Sequence, residues 1–328
     1  MSSSVRSILV SGATGKQGGA LIKSLLSSQE PNSPSFRILA LTRNSSSASA
    51  QRLASMPNVA VIEGDLNDCA AIFAAIPSQH KPVWGIFSVQ VPAAGPFANH
   101  NIEVRQGKSL VDVAIANDVK YFVYTSADRG GLEKSDMDPT DIPHIATKYH
   151  IEKYLKEKSA VTAKNNNNKA MSWTILRPVA FFENIGVSFL NRLFVAMWRS
   201  IPSSKPLQFI STIDIGHIAA MAFQNPDSPD YKNQAISIAS AELNYQQANE
   251  IFKAKLPDVG NIPQTFGILG SLVRHHVKEV RTMIDWLEKV GAGASLEETR
   301  RLHPDVMDFG TWLEKESVFK NTYSSSGM

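Results

Sequence analysis

The sequence contains only one cysteine, Cys69, among its 328 residues. A disulfide within this chain is therefore excluded, and the absence of disulfides is typical of proteins from a reducing compartment. Cys69 lies in an apolar stretch with helical spacing. We interpret it as a small buried hydrophobic residue rather than a reactive thiol.

Long apolar runs are missing as well. No uninterrupted run reaches the length that crosses a bilayer. The four residues that precede the first apolar run leave no room for a secretory signal peptide. These absences predict a cytoplasmic protein that makes no membrane contact.

A strong charge of one sign is also absent. The formal net charge is +3 and the basic residues are scattered, so we expect no direct contact with nucleic acid. No Cys/His cluster has the spacing of a metal site, and the adjacent pair His275 and His276 would point in different directions on a helix. We therefore predict that the protein binds no metal.

A glycine-rich segment near the start of the chain is the most informative feature present. An apolar run over residues 7–10 precedes Gly12, Gly15 and Gly18, and apolar residues at helical spacing follow. Gly12 allows a sharp turn, Gly15 lets the backbone approach a pyrophosphate, and Gly18 lets the new helix pack closely on the strand. An ordinary glycine-rich turn is the alternative, but a strand before the glycines and a helix after them favour dinucleotide binding.

Strand and helix patterns alternate through the first half of the chain, which predicts an α/β fold with a parallel sheet. After residue 178 the alternation loosens, and we interpret this half as a lobe that covers the substrate. It contains two predicted short strands, over residues 207–213 and 235–239, and an amphipathic helix over residues 272–287. The earlier strands are predicted over residues 37–42, 59–63, 83–89, 121–126 and 173–178.

The end of the second strand distinguishes NAD from NADP in dinucleotide-binding folds. A carboxylate there binds the ribose 2′-hydroxyl of NAD, whereas an arginine accommodates the 2′-phosphate of NADP. This sequence has Arg43 at that point, and Asn44 adds a neutral donor. Because guanidinium and phosphate form charge-assisted, often bidentate hydrogen bonds, we predict NADP(H) as cofactor. A solvated surface arginine is the alternative.

The ends of the following strands supply further candidates, because ligands bind beyond the carboxyl ends of strands in this class of sheet. Asp65 follows the third strand, and we weigh an adenine-side contact equally against a turn role. Ser88, Val89 and Gln90 end the fourth strand, where backbone would pass the cofactor ribose. Ser126 ends the fifth strand, and its hydroxyl would either hold a substrate carbonyl or cap the turn.

Lys148 is the titratable residue that most clearly suits a role in chemistry. Pro143 predicts the start of a helix, and His144 and Lys148 then lie one turn apart on the same face. A lysine beside a nicotinamide ribose can hydrogen-bond its hydroxyls and lower the pKa of a neighbouring acid. The alternative is one exposed lysine among several on this helix.

These motifs, in this order, resemble the NmrA-like family of atypical short-chain dehydrogenases/reductases. The resemblance covers nearly the whole chain. The segments that carry it are residues 10–19 (VSGATGKQGG), 41–44 (LTRN), 64–66 (GDL), 106–108 (QGK), 176–184 (LRPVAFFEN), 214–219 (DIGHIA) and 308–313 (DFGTWL).

The resemblance implies a Rossmann doubly wound parallel sheet with a smaller, discontinuous C-terminal α/β lobe and an NADP(H) site in the cleft between them. It implies a dinucleotide-binding domain over residues 1–180 and a substrate or partner lobe over residues 181–328, part of which returns to the sheet in one alternative. The cofactor-binding set that it implies is Gly12, Thr14, Gly15, Lys16, Gln17, Gly18, Arg43, Asn44, Asp65, Leu66, Ser88, Val89, Gln90, Lys148, Pro178, Phe181, Phe182 and Asn184.

One departure from the superfamily pattern matters. Typical members have a Tyr-x-x-x-Lys pair, and His144 stands four residues before Lys148 here. The usual phenolic proton donor is therefore missing, as is common in NmrA-like proteins.

Two functional hypotheses follow. The first is an NADPH-dependent reductase of a carbonyl, imine or activated alkene, with Lys148, His144 and Ser126 as candidate catalytic residues. The alternative is a non-catalytic NADP(H)-binding redox sensor that acts on transcription through protein partners, in the cytoplasm or the nucleus. We favour the reductase, because Phe181 and Phe182 and a sizeable second lobe suit an apolar pocket.

Overall fold

The computed structural model describes residues 5–27, 35–90, 99–165, 170–265 and 277–320. The strands that it contains are β1 (Arg6–Val10), β2 (Phe36–Thr42), β3 (Val59–Glu63), β4 (Val83–Ser88), β5 (Tyr121–Thr125), β6 (Ser172–Pro178), β7 (Ala180–Phe181), β8 (Leu207–Ile210), β9 (Gln234–Ile238) and β10 (Ala241–Leu243). The first nine helices are α1 (Lys16–Ser27), α2 (Ala48–Ala54), α3 (Cys69–Ala75), α4 (His100–Ala116), α5 (Leu132–Met137), α6 (Pro143–Asn165), α7 (Phe189–Arg199), α8 (Thr212–Gln224) and α9 (Tyr245–Lys255). Three further helices span Lys278–Lys289, Leu296–Leu302 and Phe309–Lys315.

Seven strands form one sheet in the order β3-β2-β1-β4-β5-β6-β9. The pairs from β3 across to β6 are all parallel. The strand order reverses on the two sides of β1, which is the topological switch point of a doubly wound sheet. The α/β Rossmann fold predicted from the sequence is confirmed, together with a separate smaller sheet.

Side-chain caps fix where several of the helices that connect these strands begin. The Ser47 hydroxyl accepts from the Ala50 N–H at the start of α2, and the Asp68 carboxylate accepts from the Ala71 N–H at the start of α3. Asn99 caps α4 in the same way. These caps satisfy N–H groups that have no partner inside the helix.

Helices α4 and α6 pack against each other at a glycine. A Cβ built on Gly107 of α4 would lie 2.5 Å from Cδ1 of Ile151 on α6. A larger residue therefore fits only if the Ile151 side chain or one of the helices moves. This contact sets the spacing of two helices that carry candidate site residues.

Contacts between Cα atoms divide the chain into two units. The first consists of residues 1–127, 143–177 and 215–236, and the second of residues 128–142, 178–214 and 237–328. The first has a core of aliphatic residues from the sheet and from α3, α4 and α6, including Leu39, Ile86 and Ile151. Cys69 belongs to this core and is 1% exposed, as predicted.

The second unit contains the three-stranded sheet β10-β8-β7, in which β8 pairs antiparallel with β10 and parallel with β7. Its core is rich in aromatic rings. The Phe182 ring stacks on Phe209 at a centroid distance of 5.7 Å and on Trp312 at 5.4 Å. The predicted domain boundary at residue 180 stays a prediction.

The strand predicted over residues 207–213 is wrong in its second half. β8 ends at Ile210, and α8 begins at Thr212. The Glu183 carboxylate accepts from the Thr212 N–H at 3.0 Å and from its hydroxyl at 2.6 Å, which caps α8. A cap supplied from a distant segment overrides the local strand preference of the β-branched residues there.

Part of the predicted amphipathic helix over residues 272–287 is confirmed by the helix Lys278–Lys289. Residues 272–276, with the pair His275 and His276, lie outside the described residues. Of the helices in the described part of the chain, none has the length and apolar character needed to cross a membrane.

Candidate dinucleotide site in the first unit

The turn between β1 and α1 is shaped for close approach by a ligand. Gly12 has a φ of +61°, and a Cβ on it would lie 2.6 Å from Cγ1 of Val89. A Cβ on Gly18 would overlap the Gly12 carbonyl oxygen, and one on Gly15 would lie 3.1 Å from that oxygen. Gly12, with its left-handed backbone, and Gly18, against backbone atoms, therefore require glycine, whereas a side chain at Gly15 would make only a tight contact.

The turn is tied to the end of β4. The Ser11 hydroxyl donates to the Val89 carbonyl at 3.0 Å and accepts from the Val89 N–H at 2.8 Å. Because these strands are neighbours at the switch point, the loops after β1 and β4 share one edge of the sheet. Sequence reasoning did not single out Ser11.

The open side of this turn suits an anion. Thr14, Gly15 and Lys16 are exposed, and α1 begins at Lys16, so its first N–H groups have no partner inside the helix. The Gln17 Oε1 atom is buried with no hydrogen-bond partner among the described residues. A glycine cradle with exposed helix N–H groups fits a pyrophosphate.

Arg43 and Asn44 follow β2 and are exposed. In the described part of the chain no hydrogen bond or ion pair engages the Arg43 guanidinium. The Ser46 N–H donates to the Asn44 Oδ1 at 2.9 Å, which closes a tight turn. Arg43 is thus available for an anion at the end of β2.

Glu63 at the end of β3 is a neighbour that sequence reasoning missed. Its Oε2 accepts from the Ser45 N–H at 3.0 Å and also from the Ser45 hydroxyl. These hydrogen bonds hold the pKa of the Glu63 carboxyl below its ordinary value. A signal existed, since Glu63 is the last residue of an otherwise apolar strand.

Asp65 takes the turn role that the sequence left open. Its carboxylate accepts from the Asn67 N–H at 2.8 Å and begins a short 3₁₀ turn. Leu66 packs against the core of the first unit. Adenine contacts by these two residues stay a prediction.

The end of β4 carries buried polar groups. Ser88 is fully buried and Gln90 is 2% exposed. The Gln90 Nε2 donates to the Ser88 hydroxyl at 2.8 Å, while its Oε1 has no hydrogen-bond partner among the described residues. A buried acceptor without a partner is costly, so this oxygen suits a ligand donor.

Lys148 is not a surface lysine. It is 8% exposed, and its Nζ lies 2.5 Å from Oε1 of Glu103 and 3.3 Å from the Gln90 carbonyl oxygen, to which it donates. The Thr147 hydroxyl donates to the other oxygen of Glu103 at 2.8 Å. The ammonium is therefore charge-balanced and directed to the end of β4.

Glu103 is the second residue that sequence reasoning missed. It is 1% exposed on α4, on a buried helix face that continues through Gly107, Leu110 and Val111. A carboxylate at an apolar-face position is the signal that could have found it, because buried charges need partners.

His144 lies one turn before Lys148 on α6, as predicted from the spacing. It is half-buried, and its carbonyl oxygen accepts from the Thr147 hydroxyl at 2.9 Å. A catalytic role for its imidazole stays a prediction.

Ser126 belongs to a different buried cluster. Its hydroxyl donates to Glu152, and the Arg177 Nη2 lies 2.6 Å from the other Glu152 oxygen. All three residues are at most 4% exposed. A fully buried cluster of this kind ties β5, α6 and β6 together, and the catalytic role of Ser126 stays a prediction.

The segment after β6 lies in the second unit. Pro178 is buried, and Phe181 and Asn184 are half-buried. The Phe182 ring is fully enclosed by the aromatic core described above, so it leaves no ring face for a ligand. The structure gives the Phe182 ring a packing role, and cofactor contacts by all four residues stay a prediction.

Comparison with curated proteins finds fungal relatives. The NmrA-like family domain-containing oxidoreductase hkm9 of Aspergillus hancockii is 33% identical over 203 residues, which cover 59% of this chain and 52% of the relative. The oxidoreductase ptmS of Penicillium ochrochloron is 30% identical over 162 residues, or 47% of this chain and 43% of the relative. The chain thus spans about half or less of the length of these relatives.

Comparison with solved structures gives the same fold. The crystal structure of NmrA, a negative transcriptional regulator, in complex with NADP has a TM-score of 0.67 at 15% identity and covers 98% of both chains. At this identity the likeness is one of fold. The profile of the NmrA-like family matches residues 4–312, nearly the whole sequence. The chain therefore belongs to the NmrA-like family.

Proposed function

We propose that this protein is an NADPH-dependent reductase that delivers a hydride to a small organic substrate with a carbonyl, imine or activated alkene. The observation that carries the proposal is the buried Lys148 ammonium, held by Glu103 and directed to the end of β4. Burying a lysine and its carboxylate partner costs desolvation free energy, and apolar side chains of similar volume would pack there without that cost. The relatives hkm9 and ptmS, both named as oxidoreductases, support the reaction class.

The first unit has residues that fit an NADP(H) molecule. The glycine cradle from Gly12 to Gly18 would hold the pyrophosphate at the start of α1, with Thr14, Lys16 and Gln17 beside it. Arg43 would bind the 2′-phosphate, as in NADP-dependent folds. The unpartnered Gln90 Oε1 would accept from the ribose or carboxamide.

Bound NADPH supplies the hydride. Lys148 would donate a hydrogen bond from its ammonium to the electronegative substrate atom that gains charge, and then transfer a proton to it. Glu103, itself held by the Thr147 hydroxyl, holds the ammonium in place, so Glu103 is a positioning residue. Lys148 regains its proton from solvent.

A second candidate is a non-catalytic NADP(H) sensor. One observation favours it, namely that His144 replaces the tyrosine that protonates substrate in typical short-chain reductases. The fold shared with the regulator NmrA is compatible with it. Protein partners and a cytoplasmic or nuclear location stay predictions.

The deciding experiment uses the purified full chain. Calorimetric titration with NADPH and NADH measures binding, and loss of NADPH absorbance on a panel of ketones, imines and enones measures turnover. We expect NADPH binding and oxidation with at least one substrate class, and loss of that turnover in Lys148→Met. NADPH binding without turnover across the panel would favour the sensor, and no nucleotide binding would refute both.

A further inference from the structure

Hydrogen bonds within the loop after β2 hold its backbone in place. The Asn44 N–H donates to the Thr42 hydroxyl oxygen at 3.2 Å, and the Ser47 hydroxyl donates to the Asn44 carbonyl at 3.0 Å. The Gln51 Nε2 donates to the Ser45 carbonyl at 2.8 Å. These contacts fix the backbone on both sides of Arg43.

A carboxylate lies against this loop. Glu63 pairs with Thr42 in the register of β2 and β3, and Arg43 follows Thr42 directly. Both donors of Ser45, its N–H and its hydroxyl, are directed to one oxygen of Glu63. The Glu63 side chain is exposed, so this pair adds little to the stability of the fold.

Two nucleotides place opposite demands on a carboxylate at this position. The 2′-phosphate of NADPH is repelled by a free carboxylate, whereas the ribose 2′-hydroxyl of NADH can donate to one. Which nucleotide is favoured therefore depends on whether Ser45 is hydrogen-bonded to the Glu63 carboxylate.

We propose that Ser45 and Glu63 determine the preference of the site for NADPH over NADH. Ser45 holds the Glu63 carboxylate back from the nucleotide and leaves Arg43 to receive the 2′-phosphate. This inference rests on the proposed function, and it adds two specificity-determining residues to the arginine.

The test is calorimetric titration of the full chain with NADPH and with NADH. In Ser45→Ala the Glu63 carboxylate loses the hydroxyl donor and keeps only the backbone N–H at position 45, so it is held less firmly. We therefore expect NADPH affinity to fall by up to about fivefold, the size of a strong exposed charge interaction, while NADH affinity does not fall. The loss should shrink as salt is raised, because exposed charges are screened.

A second variant separates charge from loop structure. Glu63→Gln keeps an acceptor without the charge, and we expect its NADPH affinity to equal or exceed that of the wild type. In Ser45→Ala/Glu63→Gln the NADPH affinity should return to the wild-type value. A double variant as weak as Ser45→Ala, or a loss that salt does not change, would assign these residues a structural role and overturn the inference.

The outcomes also separate this inference from the proposed function. Wild-type protein that binds neither nucleotide refutes the function itself. Wild-type protein that prefers NADPH, with Ser45→Ala and Glu63→Gln leaving the ratio of the two affinities unchanged, refutes only the role of Ser45 and Glu63. A fall in NADPH affinity in Glu63→Gln alone refutes it as well.

Discussion

Lys148 carries a charge that Glu103 already balances inside the first unit. Replacing a buried ion pair with apolar residues is often neutral for stability, whereas removing one partner leaves a buried unpaired charge. A pair that serves chemistry should therefore be replaceable by apolar residues with little loss of stability, whereas a pair that serves the fold should not.

We expect Lys148→Met to lower the free energy of unfolding by about 3 kcal/mol, because Glu103 then stays buried and unpaired. The double variant Glu103→Leu/Lys148→Met should recover most of that loss while turnover stays absent. Urea unfolding measures the first quantity and NADPH oxidation the second. Additive losses in the double variant would mean that the pair serves the fold.

Arg43 gives a selectivity prediction. Charge-assisted hydrogen bonds contribute about 1.5–3 kcal/mol, so Arg43→Ala should weaken NADPH binding about tenfold or more. NADH lacks the 2′-phosphate, and its affinity should change little. Calorimetric titration with both nucleotides tests this, and equal losses for the two would remove Arg43 from 2′-phosphate binding.

Single residues differ in how far their sequence context reveals them. The glycine spacing predicted the sharp turn at Gly12 and the close packing at Gly18, because both depend on residues within one turn. Glu103 and Glu63 were not identified, since their partners Lys148 and Ser45 are distant in sequence and meet them only in the folded protein.

At the scale of elements, the packing of α4 on α6 governs the Glu103–Lys148 pair. Gly107 follows Glu103 by one turn, and Ile151 follows Lys148 by about one turn. The close approach at Gly107 therefore keeps the two charged groups in contact.

Gly107→Ala should destabilise the protein by about 1–3 kcal/mol through overpacking against Ile151. In an Ile151→Ala background the same change should stabilise, because the clash is gone and alanine favours helix. Urea unfolding of the wild type, the two single variants and the double variant measures the sign of the change in unfolding free energy in each background. Gly19→Ala on α1 is the control, since its Cβ would meet nothing nearer than 3.8 Å. The same sign in both backgrounds would contradict the packing argument.

Elements defined by local pattern were predictable, and elements defined by distant contacts were not. The buried strands β1 to β6 follow from apolar runs bounded by turn residues. The start of α8 at Thr212 depends on Glu183, which lies 29 residues earlier. No window around residue 212 contains that information.

At the scale of the molecule, the residues proposed to hold the nucleotide from Gly12 to Lys148 lie in the first unit. A ligand at one hundred times its Kd adds about 2.7 kcal/mol to the free energy of unfolding. We expect NADPH to raise the thermal midpoint by several degrees and NADH by less at equal concentration. In Arg43→Ala the two nucleotides should give similar shifts, and no shift with NADPH would contradict the proposed site.

The burial of Cys69 in the core of the first unit also has a practical consequence. Cys69 is the single thiol of the sequence, it is 1% exposed, and burial raises the pKa of its thiol. A thiol reagent should therefore modify the native protein slowly and the denatured protein completely. Labelling kinetics of the unmodified wild-type chain would then report how often α3 and its neighbours open, without an introduced probe.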